Sequence, residues 1–386
     1  MTNLTLNSKQ IQAALDSLIE KPGGLNQVLE LALNSFMKAE RTEYLRASQG
    51  NKGNGYRQVS GLGIGSALSL QVPRDRLNQF KPWILNVMKE QSDTLNELCF
   101  ELYAKGLTTR DIESVTESIY GQKLTRSAVS RITKSLYKEM EDFRKQKLCE
   151  YYPIIYLDAT FIKTKRETVS SEAYYIVLAV KHDMTREVIG IYNAPTESAS
   201  NWDDILLDLK ARGLAQIDLA VIDNLAGLDS AIERHYQCRI QKCVLHMKRN
   251  ILKKVKKSHR NDVAEDLRFV FNLEDQSDDR EEFLLRATWL SDKWGKRYPS
   301  FKVFIDEVYM YYYATYLDFE PMIRNMIYTT NWIERLNKSF KRTLKIRNSM
   351  PSVDSVLTIL SKVALDMNQT TYQYPISRFE KSNLFN

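Results

Sequence analysis

Apolar positions recur at helical spacing through the first part of the chain. Ile11, Ala14, Leu15, Leu18 and Ile19 share one helical face, Pro22-Gly23-Gly24 interrupts, and Val28, Leu29, Leu31, Leu33 and Phe36 begin a second series, so residues 7–47 read as two helices. Residues 51–65 hold five glycines with little periodicity and read as a loop or turn-rich linker. The stretch from Ala67 to Pro73 alternates like a short strand, and helix resumes near Pro82.

Residues 108–140 have the pattern of a helix-turn-helix. Thr108 or Thr109 can cap a helix running through Ile119, Gly121 permits the turn, and Thr125 caps a second helix. On that second helix Val129, Ile132 and Leu136 share an apolar face. Arg126, Ser130 and Lys134 lie on another, with Ser127 and Arg131 beside them. Such a stripe suits a major groove, and it equally suits a solvated helix face.

From Tyr151 the period changes to that of strands. Residues 151–164, 173–182 and 188–194 are rich in Ile, Val and Tyr and are separated by polar turns, which predicts a three-strand meander. A helix over 201–212, a strand over 217–222, a helix over 228–236 and a strand over 240–245 follow. Beyond Leu245 the pattern is almost wholly helical: a basic helix over 247–260, several helices over 262–328, another basic helix over 329–347 and a last over 353–367.

The expected fold is therefore a mixed five-stranded α/β sheet in the order β-β-β-α-β-α-β-α, with an all-α insertion and a mainly helical N-terminal region. The expected divisions are 1–50, an N-terminal helical region, and 51–150, a region that holds the helix-turn-helix pattern. The first part of the sheet domain follows at 151–260, then the insertion at 261–327 and a last helix of that domain with a helical tail at 328–386.

Composition narrows the class. The 386 residues exceed what one core holds, and 43% apolar with 27% charged residues is the balance of a globular protein. No apolar run reaches the roughly 20 residues needed to span a bilayer, and Met1 to Lys9 is too polar for a signal peptide, so a cytoplasmic protein is expected. Four cysteines are too few and too scattered for a disulfide framework. The net charge of +7 suits a polyanionic partner, and its distribution says more. Between Lys242 and Arg260 lie eight Lys or Arg and no acid, among them Lys248, Arg249 and Lys253, a run suited to phosphates.

Two aspartates stand where carboxylates are out of place. Asp158 sits at the end of an apolar strand in Tyr156-Leu157-Asp158-Ala159-Thr160, and Asp223 ends another after Ile222. Ligands gather at strand ends in open α/β sheets, and two close carboxylates call for a hard cation such as Mg²⁺ or Mn²⁺. Taken singly, either could be a cap or turn residue. A third acid, Glu334, heads a helical face shared with Lys338, Lys341 and Lys345. Alone it could simply pair with Lys338. Cys238, Cys243 and His246 form a C-x₄-C-x₂-H cluster that His235 could complete as a zinc site, but Cys238 and Cys243 have opposite parity on a strand. No stable structural metal is expected.

These motifs together resemble the mutator-type family of bacterial insertion-sequence transposases, members of the acidic-triad (DDE) group with a ribonuclease H-like catalytic domain. The resemblance rests on Asp158-Ala159-Thr160, Ile222-Asp223, Cys243-Val244-Leu245-His246 followed by Lys248-Arg249-Asn250, and the segment from Thr330-Asn331 to Arg342 around Glu334. Ahead of them, Gly55-Tyr56-Arg57 and Val72-Pro73-Arg74-Asp75-Arg76 resemble the family's N-terminal segment, and the similarity runs from Gly53 to Leu365. Asn224 departs from the acidic or polar residue many relatives carry there, outside the triad.

The resemblance implies that Asp158, Asp223 and Glu334 bind two catalytic Mg²⁺ or Mn²⁺ ions, with Cys243 and His246 supporting the site. It also implies a helical insertion between the second and third acids, and 111 positions separate Asp223 from Glu334 against 65 between the aspartates. The expected substrates are terminal inverted repeats and target DNA, joined by a homodimer, with no membrane partner. Arg126, Arg131, Lys134, Lys248, Arg249, Lys253, Lys338, Lys341 and Arg342 are the expected DNA contacts.

Overall fold

A computed structural model describes residues 16, 24–48, 50–62, 67–120, 125–195, 199–225, 227–273, 279–345, 347 and 349–381. The chain divides into two compact units, Met1–Leu136 and Tyr137–Asn386. The earlier of the two helices expected over 7–47 lies outside the described residues except for Asp16, which is helical.

In the first unit, helix α1 (Gly24–Ala47) lays Leu29, Leu33 and Met37 against Leu68, Leu70 and Val72. Those three belong to β2 (Ala67–Asp75), which pairs antiparallel with β1 (Gly53–Leu62), setting Val59 opposite Leu70 and Gln58 opposite Gln71. The expectation of a loop over 51–65 is thereby corrected. Strand β1 carries almost no apolar alternation because β2 supplies the hydrophobic face, with Val59 packed beside it. The outer amides of β2 are also satisfied, since Ser69 donates to Glu30 and Gln71 donates to Asn34 Oδ1 at 2.8 Å.

Helix α2 (Trp83–Ala104) leads to α3 (Thr109–Tyr120) and α4 (Arg126–Lys145). The N-terminus of α3 is closed reciprocally: Thr108 donates its amide to Asp111 Oδ2 at 2.8 Å, and Asp111 returns its amide to Thr108 Oγ1 at 3.2 Å. Thr125 Oγ1 accepts from Ala128 N at 3.3 Å at the start of α4. The expected turn glycine, Gly121, lies outside the described residues.

The second unit is built on a five-stranded mixed sheet. Strands β3 (Tyr151–Lys165), β4 (Val169–Val180) and β5 (Arg186–Ala194) form the antiparallel meander, and β6 (Gln216–Ile222) and β7 (Arg239–Lys242) add in parallel, giving the order β5-β4-β3-β6-β7. Helices α5 (Ala199–Ala211) and α6 (Leu228–His235) cover one face through Leu206, Leu209, Ala231 and Ile232. Trp202 of α5 is fully buried and meets Tyr175 edge-on at 4.7 Å, a contact that adds about 1 kcal/mol to its burial.

The expected strand over 240–245 is shorter than anticipated. Strand β7 ends at Lys242 and helix α7 (Val244–Lys254) starts two residues later, because a short buried apolar run serves strand and helix equally well. Helices α8 (Arg260–Val270), α9 (Arg280–Trp294), α10 (Glu307–Ala314) and α11 (Pro321–Ile327) follow. They are tied to β7 by polar bonds: Tyr316 N donates to Gln241 Oε1 at 2.6 Å, and Thr315 Oγ1 donates to Ile240 O at 2.7 Å. Helix α12 (Asn331–Leu344) returns to the sheet beside β3, and α13 (Val353–Gln369) and α14 (Ser377–Glu380) close the chain. Among the described residues no helix is long and apolar enough to cross a membrane.

Candidate active site

The parallel register of β3 and β6 sets Leu157 opposite Ile222, so Asp158 and Asp223 follow side by side; the expected strand end holds for Asp223 only, since β3 runs on to Lys165 with Asp158 paired to Ile176 of β4. Helix α12 buries Ile333, Leu336 and Phe340 on one stripe, and the positions between them turn Glu334 and Asn337 toward β3. Asp158, Asp223, Glu334, Asn337 and His246 line one cleft of about 270 Å³ together with Lys338 and Lys341.

Each acid is held differently. Asp158 is 8% exposed, accepting from its neighbour Ala159 N at 2.8 Å through Oδ1 and from Asn337 Nδ2 at 2.6 Å through Oδ2. Burial pushes its carboxyl up to about 6, with the Asp223 charge adding to the shift while the hydrogen bonds and His246 oppose it. Asp223 accepts from Asn224 N at 2.6 Å and lies 3.2 Å from His246 Nδ1. Glu334 lies 3.6 Å from His246 Nε2 and 3.8 Å from Arg249, yet its buried Oε1 has no hydrogen-bond partner.

His246 therefore stands between Asp223 and Glu334, in the first turn of α7 and not on a strand. Hydrogen bonds to Asp223 and Cys243 raise its imidazole to about 10, against the cost of burial. Cys243, the residue before α7, is buried; its sulfur accepts from Thr330 N at 3.5 Å and Thr330 Oγ1 at 3.4 Å, tying the start of α7 to the start of α12. Ligand atoms of Cys243, His246 and Glu334 lie within 4.8 Å of one another, a group able to hold a metal. The other two members of the imagined zinc set are elsewhere: His235 Nε2 pairs with Asp203 at 3.0 Å, and Cys238 packs on the core with its thiol pushed up to about 12 by burial.

Residues 1–374 match the family described as "Transposase, Mutator family". The chain belongs to that family. Its relatives include the transposase for insertion sequence element IS1201 of Lactobacillus helveticus, 31% identical across 88% of this chain and 94% of that protein. Another is the transposase for IS905 of Lactococcus lactis, 30% identical across 89% and 87%. The transposase for IS256 in transposon Tn4001 of Staphylococcus aureus is 27% identical across 95% of each. Among solved structures, the Drosophila P element transposase strand transfer complex covers 77% of this chain and 95% of that one, at 10% identity and a TM-score of 0.41, too low to bear on the fold.

In this Mutator-family chain the basic residues singled out in the sequence separate into two kinds. Arg131, Lys134, Arg249, Lys253, Lys338, Lys341 and Arg342 are exposed. Arg126 is exposed but ion-pairs with Glu113 at 2.9 Å, which links α3 to α4. Lys248 differs from expectation. Its Nζ donates to Tyr328 OH at 2.7 Å and lies over the Phe271 and Tyr328 rings, and burial lowers it to about 8. Lys242, within the same basic run, is 4% exposed and paired with Asp229 at 2.6 Å. Sequence reasoning missed Asn337 and Thr330, although Asn337 lies three positions after Glu334 and so on the same helical face.

Proposed function

We propose that this Mutator-family chain cuts DNA at the ends of its element and joins those ends to a target, with Asp158, Asp223 and Glu334 as ligands of two Mg²⁺ or Mn²⁺ ions on a ribonuclease H-like core. The observation that carries this reading is the meeting of three acids from 158, 223 and 334 in one cleft, beside a buried Glu334 oxygen that lacks a hydrogen bond. The donor set fits hard divalent cations, being mainly carboxylate oxygen, and Asp158, raised chiefly by burial and further by the Asp223 charge, is a carboxylate that a bound cation would stabilise in its ionised form. The strand order, an antiparallel meander continued by two parallel strands, supports the ribonuclease H-like assignment.

Bound there, the ions supply a strong nucleophile at neutral pH and stabilise charge on the leaving oxygen. The chain's own residues orient the ligands. Asn337 fixes one oxygen of Asp158, while His246 spans Asp223 and Glu334. Lys338 and Lys341 offer charge to the phosphates beside the cleft. On this reading α3 and α4 bind the terminal inverted repeats, two copies of the chain bring two ends together, and the reaction takes place in the cytoplasm.

The test is to incubate the chain with labelled DNA carrying the element's ends and an unlabelled target, with Mg²⁺ or with EDTA. Cleaved and joined products, both abolished by EDTA, are expected. Cleavage without joining would make the chain a nuclease, and binding without either would make it a DNA-binding regulator.

A further inference from the structure

The cleft does not end at the acids. Beyond Leu157, strand β3 has lost its parallel neighbour, since β6 stops at Ile222, and the next pairing on that side is the single bridge from Thr164 to Met350. Among the described residues the edge of β3 between them is therefore open over about five residues, roughly 17 Å at strand spacing. Lys163 O accepts from Met350 N and Lys165 N donates to Met350 O, so by the alternation of a strand the amide of Phe161 turns to the same open edge. A second depression of about 280 Å³ straddles that edge, bordered by Phe161 and Lys163 from β3, by Lys341 and Lys345 from α12 and its end, and by Arg347. Lys341 lines both this depression and the acidic cleft, so the two adjoin as a groove along the open edge of β3.

Its chemistry is distinctive. Phe161 is 51% exposed, and a lone exposed aromatic says little, but this one sits among four cations. Lys163, Lys341 and Lys345 are exposed and form no ion pair with an acid among the described residues. An exposed aromatic ring in a depression lined by cations, with a backbone amide unbonded among the described residues, matches one ligand class, an unpaired stretch of nucleic acid whose bases stack while its phosphates are neutralised.

The geometry points to this groove as the seat of a few unpaired nucleotides flanking the scissile phosphate, one base stacked on Phe161 and the adjoining phosphates on Lys163, Lys341 and Lys345. The inference rests on the reading of the acidic cleft as the site of DNA cleavage. It adds that the duplex opens at the cleavage point and that Phe161 holds it open.

The experiment uses the full chain in EDTA, so that binding is read without strand cleavage. The probe is a duplex ending in a short unpaired tail with 2-aminopurine in the tail. Wild type should quench the probe. Phe161→Ala should lose the quench and bind the tailed duplex roughly ten-fold more weakly, with binding of a blunt duplex unchanged, and Phe161→Trp should restore both. Changing Lys163 and Lys345 together to Ala should lower the salt slope for the tailed probe by roughly one to one and a half. An unaltered quench in Phe161→Ala, or equal losses on blunt and tailed DNA, overturns the groove. The two readings fail separately: a quench that depends on Phe161 without Mg²⁺-dependent cleavage by wild type sinks only the catalytic reading, while normal cleavage with no dependence on Phe161 sinks only the groove.

Discussion

Asp158 shows how a single buried carboxylate links stability to chemistry. Its carboxyl keeps a proton up to about 6 in the folded chain against 3.8 for the ordinary group. The protonated form therefore favours folding, and the advantage is lost as pH rises from about 4 through 6, a cost of about 3 kcal/mol above that range in metal-free protein. Asp158→Asn removes that cost, and because Asn337 Oδ1 has no partner, a flip of the Asn337 amide can accept the new donor. The variant is expected to melt higher than wild type at pH 7.5 in EDTA, and Mg²⁺ is expected to raise the melting temperature of wild type alone. A lower melting temperature for the variant in EDTA contradicts this. His246 has the opposite sign: raised to about 10, it contributes its full stabilisation below pH 6.5 and loses it as pH rises through 10. His246→Gln should therefore destabilise the metal-free chain at pH 7.5, with Mg²⁺ narrowing the gap, and differential scanning calorimetry would show it. Both aspartates were legible because a carboxylate directly after a run of apolar strand residues needs a reason. The bridging place of His246 was not, since it follows from α7 beginning at Val244.

At the scale of elements, legibility followed periodicity. The meander and α5, α6, α12 and α13 carry strong strand or helix patterns, and the structure has them close to the expected bounds. Strand β1 was hidden because its glycine-rich sequence contributes little beyond Val59 to the shared core, and its existence depends on a ladder that periodicity does not report. Lys248 was misjudged for a related reason, since a charge run in sequence does not reveal which ammonium an aromatic pair draws inward. For α4, changing Arg131 and Lys134 together to Ala should weaken binding to the element's ends and lower the salt slope by roughly two, without moving the melting temperature. Arg126→Ala should in addition destabilise the fold, because it removes the guanidinium that pairs with the nearly buried Glu113 at 2.9 Å. An unchanged salt slope in the double variant would remove α4 from the DNA interface. In α12, Leu336 is fully buried, and Leu336→Ala should cost about 2–5 kcal/mol in urea unfolding and displace Glu334 with the helix.

The whole molecule joins residues far apart in sequence at one place on the sheet. Register alone brings 158 beside 223, whereas bringing 334 there requires the helices between β7 and α12 to fold back, anchored through Gln241 and Thr315. That long return is why the third acid could be assigned from sequence only through resemblance, while the first two could be argued from strand ends. The central claim is that these acids act as one centre for cutting and joining DNA. The most direct test is strand transfer by Asp158→Ala, Asp223→Ala and Glu334→Ala, each first shown to be folded and to bind the element's ends as wild type does. All three are expected to bind DNA and yield neither cleaved nor joined product with Mg²⁺ or Mn²⁺. A variant that joins DNA as wild type does would contradict the account and remove that carboxylate from the centre.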